Sequence, residues 1–499
     1  MKDVTAKVMR VLEANARSLG VSTLLMMENA GSAVARAVLE LGAKRAAVLA
    51  GRGNKAGDGF TAARHLAAEG CSVDVYVVGG LGRYPSEAEH MLSVLRKMRC
   101  IKLAELKSRE DIEKLDLSRY DVLVDAMIGT GLRGELREPF KSAVEKLNAS
   151  GKPVVAVDLP TGLDPDLGKP MGACVKASVT VTMHAMKAGL IADGGKYSGR
   201  VVVANIGIPP EAWAYTGPGD VREAVPRRKP DSHKGDYGRL AVVGGSRMYH
   251  GAPILAAMAA MRTGVDLTYL IEPREAATAA KAYSPDLIAL EAGGGELAWS
   301  SLEEHLSTLE KADAVVMGPG AGLSPATLEA LAKLAAKLTE AGKPVVVDGD
   351  GLKALAKHEA KLSGLAVLTP HAGEFKLLSG EGPPPFSRLE ERGEAARRLA
   401  KRLECTVLLK GMIDVISDGE DVRFNLTGNP GMTVGGTGDV LAGVAGAMLC
   451  FKNKPMEAAA AAAYLTGLAG DIARERLGDQ LLASDVVEAI PEAVARCLS

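Results

Sequence analysis

The residue whose setting most demands a chemical reading is Asp439. It follows Gly435, Gly436, Thr437 and Gly438 and opens an apolar run in GGTGDVLAG (435–443). An aspartate at a helix start has a plain use as a cap. Glycines directly ahead of it have other uses, namely positive φ and close backbone approach to a bound group. In the bland account the stretch is a turn plus an N-cap. In the preferred account the backbone N–H groups of Gly436 to Gly438 hold an oxyanion or phosphate, aided by the helix dipole. Asp439 then contacts a hydroxyl and takes its proton as a phosphoryl group is transferred.

Other residues suited to chemistry collect in glycine loops. GRGNKAGDG (51–59) lies between an apolar run and a helical stretch, the arrangement that cradles phosphates, although it lacks the ending of a Walker A loop. GTGLRG (129–134) fits GxGxxG, but a proline follows in ELREPF, so it is weak as a dinucleotide fingerprint. Asp58, Asp125 and Asp158 all fall at or just past expected strand ends. One such acid can simply satisfy loop amides; three beside two glycine loops point to a ligand site. Asn54 and Thr161 add neutral oxygens, and a set of Asp, Asn and Thr oxygens also suits a small cation. In the second half, HKGDYG (233–238), GGS (244–246), GPGAG (318–322), DGDG (348–351), TPHAGE (369–374) and LLKG (408–411) border expected strands. His371 and Lys410 stand in these loops, and Lys410 is placed to neutralise a phosphate.

Such loops need a scaffold, and the hydrophobic pattern supplies one. Apolar β-type runs at 45–51, 71–79, 120–129, 152–160, 177–183 and 199–209 alternate with helical stretches. Continuous apolar strands alternating with helices indicate a parallel sheet covered on both faces. Residues 1–42 read as two helices around ENAG (28–31). The Pro-, Gly- and charge-rich segment 209–236 breaks the rhythm and reads as a domain boundary, giving domains 1–215 and 216–499. A second α/β series follows at 238–246, 265–272, 312–320, 343–352, 365–375 and 405–411, closed by alanine-rich helices near 439–450 and 456–474. EGPPPFSR (381–388) reads as an exposed loop.

With 499 residues, each domain is large enough for its own core. Sixty basic and 61 acidic side chains give no bulk attraction to nucleic acid or anionic membrane. Six scattered cysteines without CxxC argue against a zinc site or a disulfide framework. The charged N-terminus lacks a signal-peptide core, and the apolar tracts are short. A cytoplasmic protein acting on small molecules, with no nucleic acid or membrane partner and assembled as a homo-oligomer, is expected.

NPGMTVGGTGDVLAG, with HKGDYG, GPGAG, TPHAGE and LLKG in this order, resembles the ribokinase-like dehydratase domain of NAD(P)H-hydrate repair enzymes. GRGNKAGDG, DAMIGTGL (125–132) and VDLPTGLDPDLG (157–168) resemble the epimerase domain fused before it in bifunctional members. The resemblance implies an α/β chain, a Rossmann-like doubly wound sheet followed by a ribokinase-like domain. It implies repair of NADHX and NADPHX, the hydrated forms of NADH and NADPH. The first domain interconverts the R and S epimers; the second dehydrates the S form, with ADP as the usual donor in microbial members, giving AMP and phosphate, and with Mg2+.

By the same resemblance, Asn54, Lys55, Ala56, Gly57, Asp58, Gly129, Thr130, Gly131, Leu132, Arg133, Gly134, Glu135 and Asp158 bind the epimerase substrate. Asp125 or Asp158 provides the carboxyl group for departure and return of water. Ala252, Gly320, His371 and Asp439 line the hydrate pocket, with Asp439 as base. Lys410, Gly411, Met412, Ile413, Asp414 and Gly438 touch the nucleotide. The family's loop usually reads NNGGDG and its second Asn helps bind K+ with residues matching Asp125 and Thr161; this chain has Lys55 there. An ammonium carries the same charge and three donors, so Lys55 is expected in the cation's place. Rival readings are a ribokinase-superfamily kinase for a small alcohol, and a non-catalytic N-terminal binding module.

Overall fold

A computed structural model describes residues 4–358 and 362–498. The chain forms two compact units, Met1–Pro209 and Pro210–Ser499. In the first, strands β1 (Arg45–Ala50), β2 (Ser72–Val78), β3 (Ile101–Leu106), β4 (Val122–Ala126), β5 (Val154–Val157), β6 (Val179–Met183) and β7 (Arg200–Ala204) form one sheet in the order β3-β2-β1-β4-β5-β6-β7. Every pairing is parallel. The central strands β4 and β5 are buried along their whole length, as a sheet covered on both faces requires. The order reverses between β1 and β4, so the loops that leave these two strands diverge and open a crevice at the carboxyl edge.

The second unit repeats this plan with a different ending. Strands β8 (Arg239–Val243), β9 (Leu267–Glu272), β10 (Ile288–Glu291), β11 (Ala314–Met317), β12 (Val345–Val347), β13 (Ala366–Leu368), β14 (Thr406–Leu409), β15 (Asp414–Ser417) and β16 (Val422–Asn425) run in the order β10-β9-β8-β11-β12-β13-β14-β15-β16. Pairing is parallel as far as β14; β15 and β16 are antiparallel. The switch in order falls between β8 and β11. Helix Thr437–Cys450 is buried from Val440 to Cys450, which is why its sequence is apolar all round.

The α/β class with an N-terminal doubly wound sheet is what the sequence pattern implied, with differences at the margins. ENAG lies inside helix Thr23–Glu40; the turn between the first two helices comes earlier, after Ser18. The edge strands β3 and β10 escaped the apolar-run criterion because they are half exposed and carry charged residues. The short hairpin β15–β16 and the closing helix Ala483–Leu498 were also not anticipated. Residues 210–215 belong with the second unit: Trp213 and Tyr215 carbonyls accept from Arg423, and Thr216 N–H donates to Phe424 O. The 381–388 segment is largely exposed but ends in a 3-10 turn, Phe386–Arg388. Among the described residues no helix is long and apolar enough to cross a membrane.

Helix Thr437–Cys450 is held against helix Gly251–Thr263 by close backbone approach. A Cβ at Gly443 would fall on the carbonyl of Ala256, so the two helices could not keep their separation. Gly443→Ala is therefore expected to cost the second unit about 1–3 kcal/mol, the usual range for overpacking, read as a lower urea midpoint of that unit.

Candidate active sites

In the first unit, Gly53 caps helix Asn54–Ala68 without a side-chain bond, and the helix start borders the crevice between the β1 and β4 loops. A cavity of about 600 Å³ opens there. Asn54, Lys55, Asp58, Gly129, Thr130, Gly131 and Asp158 line it, as the sequence implied. Arg10, Glu13 and Met183 join them, and nothing in the spacing had singled these out. Ala56 and Gly57 are buried beneath the helix start, while Arg133, Gly134 and Glu135 are exposed beyond the cavity lining and Leu132 is half-buried there.

The three aspartates part company. Asp125 is fully buried and spends both oxygens on protein: Oδ1 accepts from Thr161 Oγ1 (2.6 Å) and Met127 N (3.1 Å), and Oδ2 from Thr161 N (2.7 Å) and Lys55 Nζ (3.1 Å). It is not among the residues lining the cavity, and its bonds hold the loops after β4 and β5 together. Asp158 does line the cavity, in a left-handed backbone conformation (φ 61°) that turns its side chain back over β6. Its Oδ1 lies 2.5 Å from the buried Lys187 Nζ and 3.1 Å from Met183 N. Burial alone would raise this carboxyl, but the Lys187 ammonium and the Met183 N–H outweigh it and hold it below the ordinary range. Burial lifts Asp58 well above the ordinary range, and the charge of Asp158 adds to the effect. Glu13 is raised for the same two reasons. One cavity thus holds a carboxyl group whose pKa is lowered beside two whose pKa values are raised.

In the second unit the glycine loop and its aspartate come together as a site. Gly436, with φ 101°, caps helix Thr437–Cys450, so Asp439 stands in the first turn and is not the cap. A Cβ at Gly438 would lie 3.1 Å from Lys410 Nζ, which places the end of β14 against this helix start. Lys410 pairs with the buried Asp348 at 2.8 Å, and Thr369 Oγ1 donates to the same carboxylate oxygen. Burial opposes the charge on Lys410, yet Asp348 and Glu374 overcome it and raise the ammonium above its ordinary value. Burial, and next the repelling charge of Asp348, push Asp439 up to about 7.

His371 caps helix Ala372–Ser379, its Nδ1 accepting from Gly373 N (3.0 Å) while Glu374 Oε2 accepts from His371 N (2.9 Å). This leaves the ring exposed at the rim of a cavity of about 690 Å³. Lys410, Gly411, Met412, Asp414 and Gly438 line the same cavity, together with Thr427, Gly428, Asn429, Pro430, Met432, Thr433 and Val434. Ile413 is half-buried and does not line it. Asp414 accepts from Gly411 N and Asn425 Nδ2, and burial lifts it to about 6. Ala252 and Gly320 lie against each other at the β8/β11 switch, where a Cβ on Gly320 would come 3.2 Å from that of Ala252. They are outside the lining of this cavity and on a separate part of the edge. Asp350 links the two parts: it accepts from Gly322 N at 2.8 Å and its charge acts on Asp439. Asp348, Asp350 and Glu374 were visible only as members of DGDG and TPHAGE; their roles needed the fold.

A Rossmann-like sheet followed by a largely parallel sheet with a glycine-preceded aspartate in the half-buried first turn of a helix defines a two-unit α/β protein with a charged cavity in each unit. Residues 240–492 match the family model for NAD(P)H-hydrate dehydratase, and residues 23–189 the model described as YjeF-related protein N-terminus. The chain is 46% identical over 507 aligned positions to a bifunctional NAD(P)H-hydrate repair enzyme of Pyrobaculum aerophilum, covering 99% of each. It is 41% identical to the protein of that description from Methanothermobacter thermautotrophicus, covering 97% of this chain and 93% of the relative. A solved ribokinase-like superfamily protein from Enterococcus faecalis is 28% identical with a TM-score of 0.50, covering 57% of this chain and 95% of its own. The chain belongs to the family of bifunctional NAD(P)H-hydrate repair enzymes.

One further acid borders the second site. Glu272, at the end of β9, is fully buried under the Gly244–Gly245 turn, and neither carboxyl oxygen has a hydrogen-bond partner. Burial lifts it to about 8. Between its unfolded value near 4.5 and 8 the folded state holds a proton that the unfolded state releases. Stability therefore falls as pH rises through that window, with a limiting slope of about 1.4 kcal/mol per pH unit. Glu272→Gln should flatten this part of the profile, measured by urea unfolding of the second unit between pH 5 and about 8.

Proposed function

We propose that this protein repairs hydrated nicotinamide cofactors. The first unit interconverts the R and S epimers of NADHX and NADPHX, and the second returns the S form to NADH or NADPH. The observation that carries the reading is Asp439: a carboxyl group lifted to about 7, at the N-terminal turn of a helix, beside the Lys410–Asp348 pair. Hydroxide is a poor leaving group, so dehydration needs the ring hydroxyl activated. Asp439 takes the hydroxyl proton as the oxygen accepts a phosphoryl group from ADP, leaving AMP. Phosphate then departs as the ring nitrogen's lone pair forms an iminium, and loss of a proton from the neighbouring ring carbon to solvent restores the double bond and the lone pair. The N–H groups of the 436–438 turn and Lys410 face the charge on the transferred group.

The wall formed by Lys410, Gly411, Met412 and Asp414 would take the nucleotide, and the Ala252–Gly320 edge with His371 the hydrate. No group of three His, Cys, Asp or Glu among the described residues is arranged to hold a metal by itself. Mg2+ in this reading neutralises the nucleotide's phosphates and needs only one or two protein carboxylates, for which Asp348 and Asp350 stand near Asp439. In the first unit, Asp58, whose pKa burial raises, donates a proton to the departing hydroxyl, and Asp158, held low by Lys187, accepts one from the returning water.

A base must be unprotonated to act, so dehydratase kcat/KM should climb about tenfold per pH unit below about 7 and level off above it. Asp439→Asn should lower kcat by about 10²- to 10⁴-fold with ADP binding retained, measured by calorimetry. The reading as a whole is tested by recovery of nicotinamide absorbance from a mixed-epimer NADPHX preparation with ADP, ATP or no nucleotide. Complete recovery that requires a nucleotide supports both activities. Recovery that stalls once the S form is gone removes the epimerase half. A stable phosphorylated product without recovered cofactor means a small-molecule kinase instead.

A further inference from the structure

The floor of the first cavity contains a cation supplied by the chain itself. Lys55 is buried, and its Nζ lies 2.6 Å from Leu159 O, 3.1 Å from both Asp125 Oδ2 and Thr161 Oγ1, and 3.2 Å from Ile128 O. An ammonium has three N–H donors, yet four oxygens from the β4 and β5 ends surround it. Backbone carbonyls, a hydroxyl and a carboxylate converging on one point form the shell that a large monovalent ion takes in exchange for its water. Without a positive charge at the centre, these oxygens would face one another, buried and uncompensated.

The potassium ion that the family resemblance implies does not fit these residues. The ammonium already fills the position between Asp125 and Thr161, and a second positive charge there would displace it or repel it at van der Waals distance. Burial lowers the Lys55 pKa, and Asp125 opposes the effect.

We propose that Lys55 is the resident cation of the epimerase site, so that the first unit needs no monovalent metal ion. Lys55 acts as a positioning residue. It opens the helix that carries Asn54 and Asp58 and ties that helix to the loops that carry Gly129–Gly131 and Asp158.

The proposal rests on the epimerase reading of this unit, and two readouts on the full-length protein separate them. The first is R-to-S conversion of NADPHX in tetramethylammonium buffer, with and without KCl. Wild type should run at the same rate in both. Lys55→Asn should lose roughly 10- to 100-fold without KCl and regain it when KCl is added, a rescue that a merely structural lysine would not give. The second readout is binding of thallous ion, a potassium surrogate, followed by thallium NMR. Lys55→Asn should gain a bound ion that is lost when Asp125→Asn is added, and wild type should show no ion sensitive to Asp125→Asn. Stimulation of wild-type epimerisation by KCl, or a wild-type thallium signal abolished by Asp125→Asn, overturns the proposal. If Lys55→Asn does not fold, salt independence of wild type still decides. A wild type inactive in every salt overturns the epimerase reading instead, and the thallium signal then decides the proposal alone.

Discussion

A charge taken out of water must be met by another charge or by several hydrogen bonds, and both units are organised around that constraint at the carboxyl edge of a parallel sheet. In the first unit Lys55 meets Asp125, Thr161 and two carbonyls, and Lys187 meets Asp158. In the second, Lys410 meets Asp348, with Thr369 donating to the same carboxylate. Each pair ties a loop to its neighbour, and between them they fix the loops from which the cavities are made. Breaking any one would leave a buried ion alone, at a cost of about 3–5 kcal/mol.

The acids that this matching leaves over are the ones whose pKa values are raised. Burial raises the Asp439 carboxyl, and among the charges acting on it most strongly Asp348, Asp350 and Glu374 add to the effect while Lys410 opposes it, so its pKa sits at about 7. Asp58 stands close enough to Asp158 to feel its charge while Lys187 is committed to Asp158. The same device, a satisfied ion pair beside an unsatisfied acid, therefore recurs in two unrelated sheets. It keeps a carboxyl group ready to give or take a proton without exposing the pair that shapes the pocket.

Much of this was legible in the sequence because glycine loops and strand-end acids are local signals. GRGNKAGDG, GTGLRG, DGDG, TPHAGE and GGTGD all lie at carboxyl edges of their sheets, and Asp439 and Lys410 are neighbours as their motifs implied. Glu13 was invisible: it sits on a helix before the first strand and reaches the cavity only through the packing of that helix. Lys187 was missed because a lysine after a strand looks solvated until its burial is known. Asp125 looked like Asp158 in the sequence, both ending strands, and only their hydrogen bonds separate the one that braces from the one that faces the cavity.

By itself the sequence determined the two α/β series, the glycine loops and the departure at Lys55, because hydrophobic period, turn chemistry and residue type are properties of short stretches. Tertiary structure decided what no short stretch contains. It brought residues 125, 128, 159 and 161 around the Lys55 ammonium, and it set Asp439 against Asp348, 91 positions earlier. It also joined the short edge strands that no apolar run announces. Electrostatic environment depends on the distances between groups remote in the chain and on how much water the surrounding packing excludes. Those quantities exist only once the sheets have formed and the helices have closed over them.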